Sequence, residues 1–190
     1  MIGIGQRETG GRLASVMITC ACLLSGCGSS QWLSKYEDGK RALATNPKNL
    51  VAAQAAFQAA IADAEKNHLP EPTYAPAVIA MGETLMEQRR FAEAQDYLLH
   101  AVSLATATDM TVAENVRLLK LLELAYEQAR NYQQAAQTAD VLVNFTYMQL
   151  SPLSTDYKHA VIARDKLKKL AIAAQSHDDC CEAAKPGGVQ

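Results

Sequence analysis

Apolar residues recur three and four positions apart along most of this chain, the spacing that gathers them on one face of an α-helix. The segment from Leu118 to Tyr126 is the clearest case, because leucines and small apolar residues fill its inward positions. Short polar or proline-bearing stretches, such as the one at Asn46-Pro47, interrupt the pattern. The pattern predicts seven helices, over residues 31–45, 49–67, 75–89, 91–106, 112–130, 132–148 and 153–175.

Local signals indicate where two of these helices begin. Thr111 and Glu114 have the spacing of a capping box, in which the threonine side chain accepts a backbone hydrogen bond and the glutamate reaches back. Pro76 is expected in the first turn of the third helix, where its missing N–H is not needed. Both signals favour helices joined by short turns.

The helical pattern repeats at a period of 41 residues, in segments that begin near Ser34, Ala75 and Val116, with a partial fourth near Tyr157. The middle segment is the clearest, and the next one repeats its apolar spacing. A period in this range is typical of proteins built from stacked helix pairs. We therefore expect residues 34–175 to form one helical repeat domain.

The repeated segments resemble the tetratricopeptide repeat, a helix-turn-helix unit, over about residues 34–149. Gly82 stands at the family's glycine position, whereas Glu123 replaces that glycine in the next unit and argues against an equally tight helix crossing there. The resemblance implies an all-α solenoid in which antiparallel helix pairs wind into a right-handed superhelix. It also implies a set of residues that pack the paired helices together, namely Gly82, Leu85, Ala94, Ala101, Tyr126 and Ala135.

The resemblance further implies a concave binding face, lined by the first helix of each pair. Its positions mix apolar and charged side chains, as a groove that binds a peptide or protein would need for burial and orientation. In this chain they are Ile79, Glu83, Met86, Arg117, Lys120 and Leu124. The alternative is that Ile79 and Leu124 belong to the core and that the charged side chains are merely solvated.

Glycine placement and charge argue against several other function classes. Gly39 and Gly82 are the only glycines between residues 29 and 184, and so few glycines leave little capacity for phosphate-binding loops or tight hairpins. The net charge of −2 means that the chain has no excess of basic residues with which to bind nucleic acid. No constellation of residues looks catalytic, so we expect neither an enzyme nor a cofactor.

The N-terminus has the features of an export signal, with Arg7 and Arg12 before an apolar run from Leu13 to Leu24. This run is shorter than the roughly 20 residues that a membrane-spanning helix needs. The residues that follow, Leu-Ser-Gly-Cys at 24–27, resemble the lipobox of bacterial lipoproteins. The resemblance implies that residues 1–26 are removed and that Cys27 receives acyl chains, two or more of which hold a protein stably on a membrane.

These observations predict a division of the chain and a location. Residues 1–26 would be the lipoprotein signal peptide, 27–33 a lipidated N-terminus and linker, 34–175 the repeat domain, and 176–190 a disordered tail. Because Gly28 is not the aspartate that retains lipoproteins in the inner membrane, the resemblance implies the periplasmic face of the outer membrane. A plain signal peptide, which would release a soluble periplasmic chaperone, is the alternative.

Cys180 and Cys181 stand side by side near the C-terminus, next to His177 and two aspartates. In an oxidising compartment such a pair could form a disulfide within the chain or with another protein. A periplasmic redox or metal-binding protein is therefore a second alternative, although we expect no metal because contiguous ligands rarely form a closed site. The function that we expect is a membrane-anchored adaptor that binds protein partners in the bacterial envelope, in outer-membrane, pilus, secretion or cell-wall assembly.

Overall fold

A computed structural model describes the backbone of residues 27–105 and 110–183, and the side chains of 31–105 and 110–176. Over these residues the chain is entirely helical and contains no strand, which confirms the predicted all-α class. Each predicted helix is present. The helices are α1 (Cys27–Ala44), α2 (Leu50–Lys66), α3 (Glu71–Glu87), α4 (Phe91–Leu104), α5 (Val112–Gln128), α6 (Tyr132–Gln149) and α7 (Thr155–Ala183).

The 41-residue period appears in the helix boundaries. The even-numbered helices begin at Leu50, Phe91 and Tyr132, which are 41 residues apart, and α3 and α5 begin at Glu71 and Val112, also 41 apart. Each helix packs against the helix before it and the helix after it, and α3 also touches α5. Because the connecting turns are short, successive helices run antiparallel. The described part of the molecule is thus a row of helix pairs.

The buried core follows this row from one end to the other. Large side chains such as Phe57, Leu85 and Leu98 are almost completely buried between the first five helices. Two smaller clusters, one around Leu142 and one around Leu167, continue the core between α5, α6 and α7. Alternation of large residues with alanines lets neighbouring helices approach closely without leaving voids.

The predicted packing residues lie inside the paired helices. Four of them are at most 1% exposed, and Tyr126 is partly buried against the core. At Gly82, a Cβ atom would lie 2.8 Å from Cδ2 of Leu98, so any larger residue would force the Leu98 side chain or the packing of α3 on α4 to shift. The four nearly inaccessible residues are Leu85, Ala94, Ala101 and Ala135.

Gly39 plays the same part in the first pair. A Cβ atom there would lie 2.4 Å from Cε1 of the buried Phe57 on α2. Gly39 and Gly82 are 43 residues apart, whereas Phe57 and Leu98 are 41 apart. The first helix of the first pair is therefore offset by two residues from the strict period, and this offset hides its likeness to α3 in the sequence.

The N-terminus of α3 corrects the prediction for Pro76. The third helix was expected to begin at residue 75, but it begins at Glu71, so Pro76 lies inside the helix. Pro72 occupies the first turn instead, where no N–H is needed, and the carboxylate of Glu71 suits the positive end of the helix dipole. The capping box of α5 is as predicted: the Thr111 side chain accepts from the Glu114 N–H, and the Glu114 side chain accepts from the Thr111 N–H.

Three helices end in the same way. His68, Arg89 and Arg130, which follow α2, α3 and α5, have positive φ angles of 53°, 62° and 63°. After α3, the N–H of Arg89 donates to the carbonyl of Met86 and that of Arg90 donates to the carbonyl of Leu85. This is the Schellman pattern, in which glycine is the usual residue with positive φ.

The ends of the described chain differ from the predicted domain boundaries. α1 begins at Cys27, so the helix covers the segment 27–33 that was expected to be a linker. α7 continues to Ala183, eight residues beyond the predicted end and into the segment 176–190 that was expected to be disordered. The first helix breaker after Ser154 is Pro186, so nothing in the sequence stops α7 at residue 175. The predicted signal peptide, 1–26, lies outside the described residues, as do residues 184–190.

Candidate functional site

The odd-numbered helices α1, α3, α5 and α7 share one face of the row, and two clefts lie along that face. Cleft 1, of about 390 Å³, lies between α1, α3 and α5, and cleft 2, of about 400 Å³, lies between α5 and α7. Both clefts are lined by Arg117 and Leu121 of α5, so they lie next to each other on this face. We call the two clefts together the groove.

The groove brings together five of the six predicted partner-binding residues. Cleft 1 is lined by Ile79, Glu83 and Arg117, and cleft 2 by Arg117, Lys120 and Leu124. The sixth residue, Met86, lines neither cleft and packs, partly buried, against the core. It follows Glu83 by three residues, so it is turned about 60° around the axis of α3 from the direction of Glu83.

The apolar part of the lining surrounds these charged groups. Cleft 1 has Pro72 and Ile79 on one wall and Leu118 and Leu121 on the other, and cleft 2 ends at Leu124, which is 42% exposed. Ile79 is only partly buried, so it is not simply a core residue. Apolar side chains of a ligand could therefore be buried in the groove, beside the charged side chains that line it.

Two ion pairs cross the groove from helix to helix. Nη2 of Arg117 on α5 lies 2.6 Å from Oε1 of Glu83 on α3, in ionic contact without the angle of a hydrogen bond. Nζ of Lys120 on α5 donates to Oδ1 of Asp156 on α7 at 2.6 Å. The Arg117 side chain is 66% exposed, so its guanidinium can contact a ligand while it remains near Glu83.

Burial sets the electrostatics of Glu83. Desolvation raises the pKa of its carboxyl group, the charge of Arg117 opposes that rise, and the neighbouring Glu87 adds to it. Because this half-buried carboxylate has one exposed arginine as its partner, its pKa depends on what else occupies cleft 1. A ligand cation would stabilise its charged form, and a ligand that withdraws Arg117 would favour its protonated form.

Tyr36 of α1 completes cleft 1, and the sequence analysis did not assign it to the binding face. Its ring lies 5.8 Å from Phe57 and 6.2 Å from Trp32, centroid to centroid, and burial raises the pKa of its hydroxyl group. With the two-residue offset that Gly39 reveals, Tyr36 stands at the position of Ile79 in the next unit. Matching Gly39 to Gly82 would have found it from the sequence.

Glu123 occupies the glycine position of the third pair, yet α5 and α6 still pack against each other. The opposing position, which is Phe57 in the first pair and Leu98 in the second, is Ala139 in the third, and this smaller residue offsets the larger one. Oε2 of Glu123 is buried without a hydrogen-bond partner. Burial, reinforced by Glu127 and opposed by Lys120 and Lys166, raises the pKa of this carboxyl group to about 7.

The predicted cysteine sites lie at the margins of the described structure. Cys27 begins α1, and Cys180 and Cys181 lie within α7, but their side chains are outside the described residues. Among the side chains that are described, no three histidine, cysteine or acidic groups lie close enough together to hold a metal ion. No helix within the described ranges is long and apolar enough to cross a membrane.

Two comparisons with known proteins found no relative of this chain. No protein-family model matches the chain, and no curated protein matches it significantly.

Proposed function

We propose that this protein is a lipid-anchored adaptor with tetratricopeptide-like repeats, whose groove binds a peptide or protein partner in the bacterial envelope. The observation that carries the proposal is the alignment of Ile79, Glu83, Arg117, Lys120 and Leu124 along one groove. These residues come from separate repeats, so they converge only if the helix pairs stack in register. Binding by shape and charge is what such a surface supports.

The repeat architecture favours binding over catalysis. Stacked helix pairs present an extended face whose curvature follows from the small rotation between neighbours, and proteins built in this way use that face for docking. In this chain the face carries apolar walls and two ion pairs that bridge successive odd-numbered helices. A right-handed superhelix of these pairs would make the face concave and suited to an extended or helical segment of a partner.

The proposed anchor rests on the sequence at residues 24–27. An export-type apolar run ends there in Leu-Ser-Gly-Cys, and acylation of Cys27 would hold the adaptor at the membrane. Gly28 favours the outer membrane and its periplasmic face. In this arrangement the anchor raises the local concentration of the adaptor near an envelope partner, which strengthens weak binding in the groove.

Photo-crosslinking in living cells tests the groove. A photoreactive residue at Leu124, which is 42% exposed in cleft 2, should capture a discrete partner. The matched control is Val141 on α6, which is 53% exposed on the face of the even-numbered helices. Equal capture from both positions, or capture from Val141 alone, would contradict the assignment of the groove.

Competition within the groove sharpens the result. Replacing Ile79 with glutamate in the Leu124 crosslinking variant should abolish the captured band, because a buried carboxylate would meet the apolar segment of the partner.

Mass analysis of the mature N-terminal peptide tests the anchor separately. A triacylated Cys27 supports it, and an unmodified amine at another residue contradicts it.

A further inference from the structure

The antiparallel row of helices has two edges with different surfaces. At one edge the odd-numbered helices begin and the even-numbered helices end, and it carries Cys27 and the turns 67–70 and 150–154. We call this the Cys27 edge. The opposite edge carries the turns 45–49, 88–90 and 129–131. A surface feature at the Cys27 edge therefore lies on the same side of the molecule as the start of α1.

The densest group of exposed apolar side chains in the described structure lies at the Cys27 edge. Within seven residues, Tyr147, Met148, Leu150 and Leu153 are 57%, 78%, 42% and 80% exposed. We call these four residues the apolar turn. Monomeric proteins seldom leave such a group in water, and a protruding one marks a contact with a membrane or another protein.

We propose that the Cys27 edge rests on the lipid bilayer and that the apolar turn inserts into its headgroup region. The inference depends on the proposed acylation of Cys27, because the anchor would bring this edge, and not the opposite one, to the membrane surface. The apolar turn is separated from Cys27 along the row by the intervening helix pairs. The two points would therefore hold the row at both ends.

The chemistry of the apolar turn suits a bilayer interface. The rings of Tyr147 and Tyr157 lie 5.9 Å apart, and such amphipathic rings combine an apolar body with a hydroxyl group that stays hydrated. Lys158, one residue further on, is exposed and can face anionic headgroups, while the nearby carboxylate of Asp156 is paired with Lys120. A short turn with four exposed apolar side chains can enter an adaptable lipid surface without a pocket of matching shape.

This orientation has a consequence for the groove. With the Cys27 edge on the bilayer, the helices would stand upright and the groove would open sideways, along the membrane surface. α5, at 17 residues and about 1.5 Å per residue, would raise the opposite edge roughly 25 Å above the headgroups. A partner would then reach the groove from the aqueous side or along the membrane.

Depth-dependent quenching tests the orientation. Full-length protein is isolated from membranes with an NBD fluorophore on cysteine at Leu153→Cys, in a background where Cys180 and Cys181 are serine. It is reconstituted into phosphatidylethanolamine–phosphatidylglycerol vesicles that contain a nitroxide-labelled phospholipid. The matched control is Val51→Cys, because Val51 is 77% exposed and lies in the first turn of α2, at the opposite edge.

The expected result is at least threefold stronger quenching at residue 153 than at residue 51, with a blue-shifted emission at 153 only. Equal quenching at the two positions, in protein whose N-terminal peptide proves to be acylated, overturns the orientation and leaves the anchor intact. If that peptide carries no lipid, the anchor fails. The orientation then fails with it, because the orientation depends on the acylation of Cys27.

Discussion

At the scale of single residues, the closest approach of paired helices is set by a glycine and the side chain that faces it. The position is Gly39 opposite Phe57 in the first pair and Gly82 opposite Leu98 in the second. In both pairs the glycine leaves room that a large partner fills. A change on one side should therefore be coupled to the residue on the other side.

We expect Gly82→Ala to lower the free energy of unfolding by about 1–2 kcal/mol, because overpacking against Leu98 outweighs the better helix propensity of alanine. In a Leu98→Ala background the same change should be neutral or stabilising, since the clash is gone. Gly82→Leu should prevent α3 and α4 from pairing. Urea denaturation of the four members of the cycle, followed by circular dichroism, measures the coupling, and strictly additive effects would contradict the close approach.

Glu123 should make stability depend on pH. Burial raises the folded-state pKa of its carboxyl group to about 7, above its ordinary value of 4.5, so the folded protein holds this proton more tightly than the unfolded chain. By linkage, the contribution of this group to stability is fully present below about pH 4.5 and is lost as the pH rises through about 7.

We expect Glu123→Gln to raise the free energy of unfolding by about 1 kcal/mol at pH 8, a figure reduced for solvent screening, and to change it little at pH 5. The control is Glu93→Gln. A hydrogen bond from Arg90 lowers the pKa of the Glu93 carboxyl group, so its removal should shift the pH dependence in the opposite sense. Thermal unfolding between pH 3 and pH 8 checks both, because the effect at Glu123 lies above about pH 4.5 and the effect at Glu93 lies below it. Parallel curves for Glu123→Gln and the parent between pH 5 and pH 8 would contradict the buried environment.

At the scale of helices, boundaries follow from local chemistry where that chemistry is strong. The capping box of Thr111 and Glu114 and all seven helices were predictable, because periodicity and end signals act within a few residues. The start of α3 was not, because two prolines compete for its first turn and only packing decides which one lies inside. The end of α7 does not follow from composition, because its polar residues favour disorder although no helix breaker precedes Pro186.

The helix ends carry a repeated strain that can be relieved. Arg89 and Arg130 adopt positive φ, where residues other than glycine lose roughly 1 kcal/mol or more. We expect Arg89→Gly to raise the free energy of unfolding by about 1 kcal/mol, and Arg89→Ala, which removes the same charge and keeps the Cβ atom, to give no gain. Denaturant midpoints of the two variants measure the difference, and equal midpoints would show that the backbone conformation is not the cause.

At the scale of the whole molecule, the groove depends on charges that lie far apart in the sequence. Glu83 and Arg117 are 34 residues apart, and Lys120 and Asp156 are 36 apart, yet each pair is in contact at 2.6 Å. The Lys120–Asp156 pair is exposed on both sides, and exposed ion pairs add little to stability. Their positions on the groove suit them to orient a ligand.

We expect Lys120→Gln to change the free energy of unfolding by less than about 0.5 kcal/mol and to weaken capture of the partner from the Leu124 crosslinking position. Lys168→Gln is the matched control, because Lys168 also pairs with an aspartate of another helix, Asp140 of α6, but does not line the groove. Loss of crosslinking in both variants, or in neither, would contradict a role for the groove charges.

The sequence by itself determined the helical class, the number of helices, the 41-residue period and most of the packing residues. These features follow from the spacing of apolar and small residues over three to forty positions. This spacing predicts the helix face on which each residue lies, without information from distant parts of the chain. The common face of five of the six predicted partner-binding residues also followed, because a regular repeat carries positions from one unit to the next. That these residues bind a partner stays a prediction.

Only the tertiary structure decided how the units meet. It placed Met86 outside both clefts, brought Glu83 against Arg117 and Lys120 against Asp156, and set which side chain faces each glycine. Each of these depends on the register in which one helix packs against another. The same periodicity of apolar residues is compatible with several registers, so the sequence pattern alone does not choose between them. The surroundings of a side chain, and hence its charge state, are fixed only when that register is chosen.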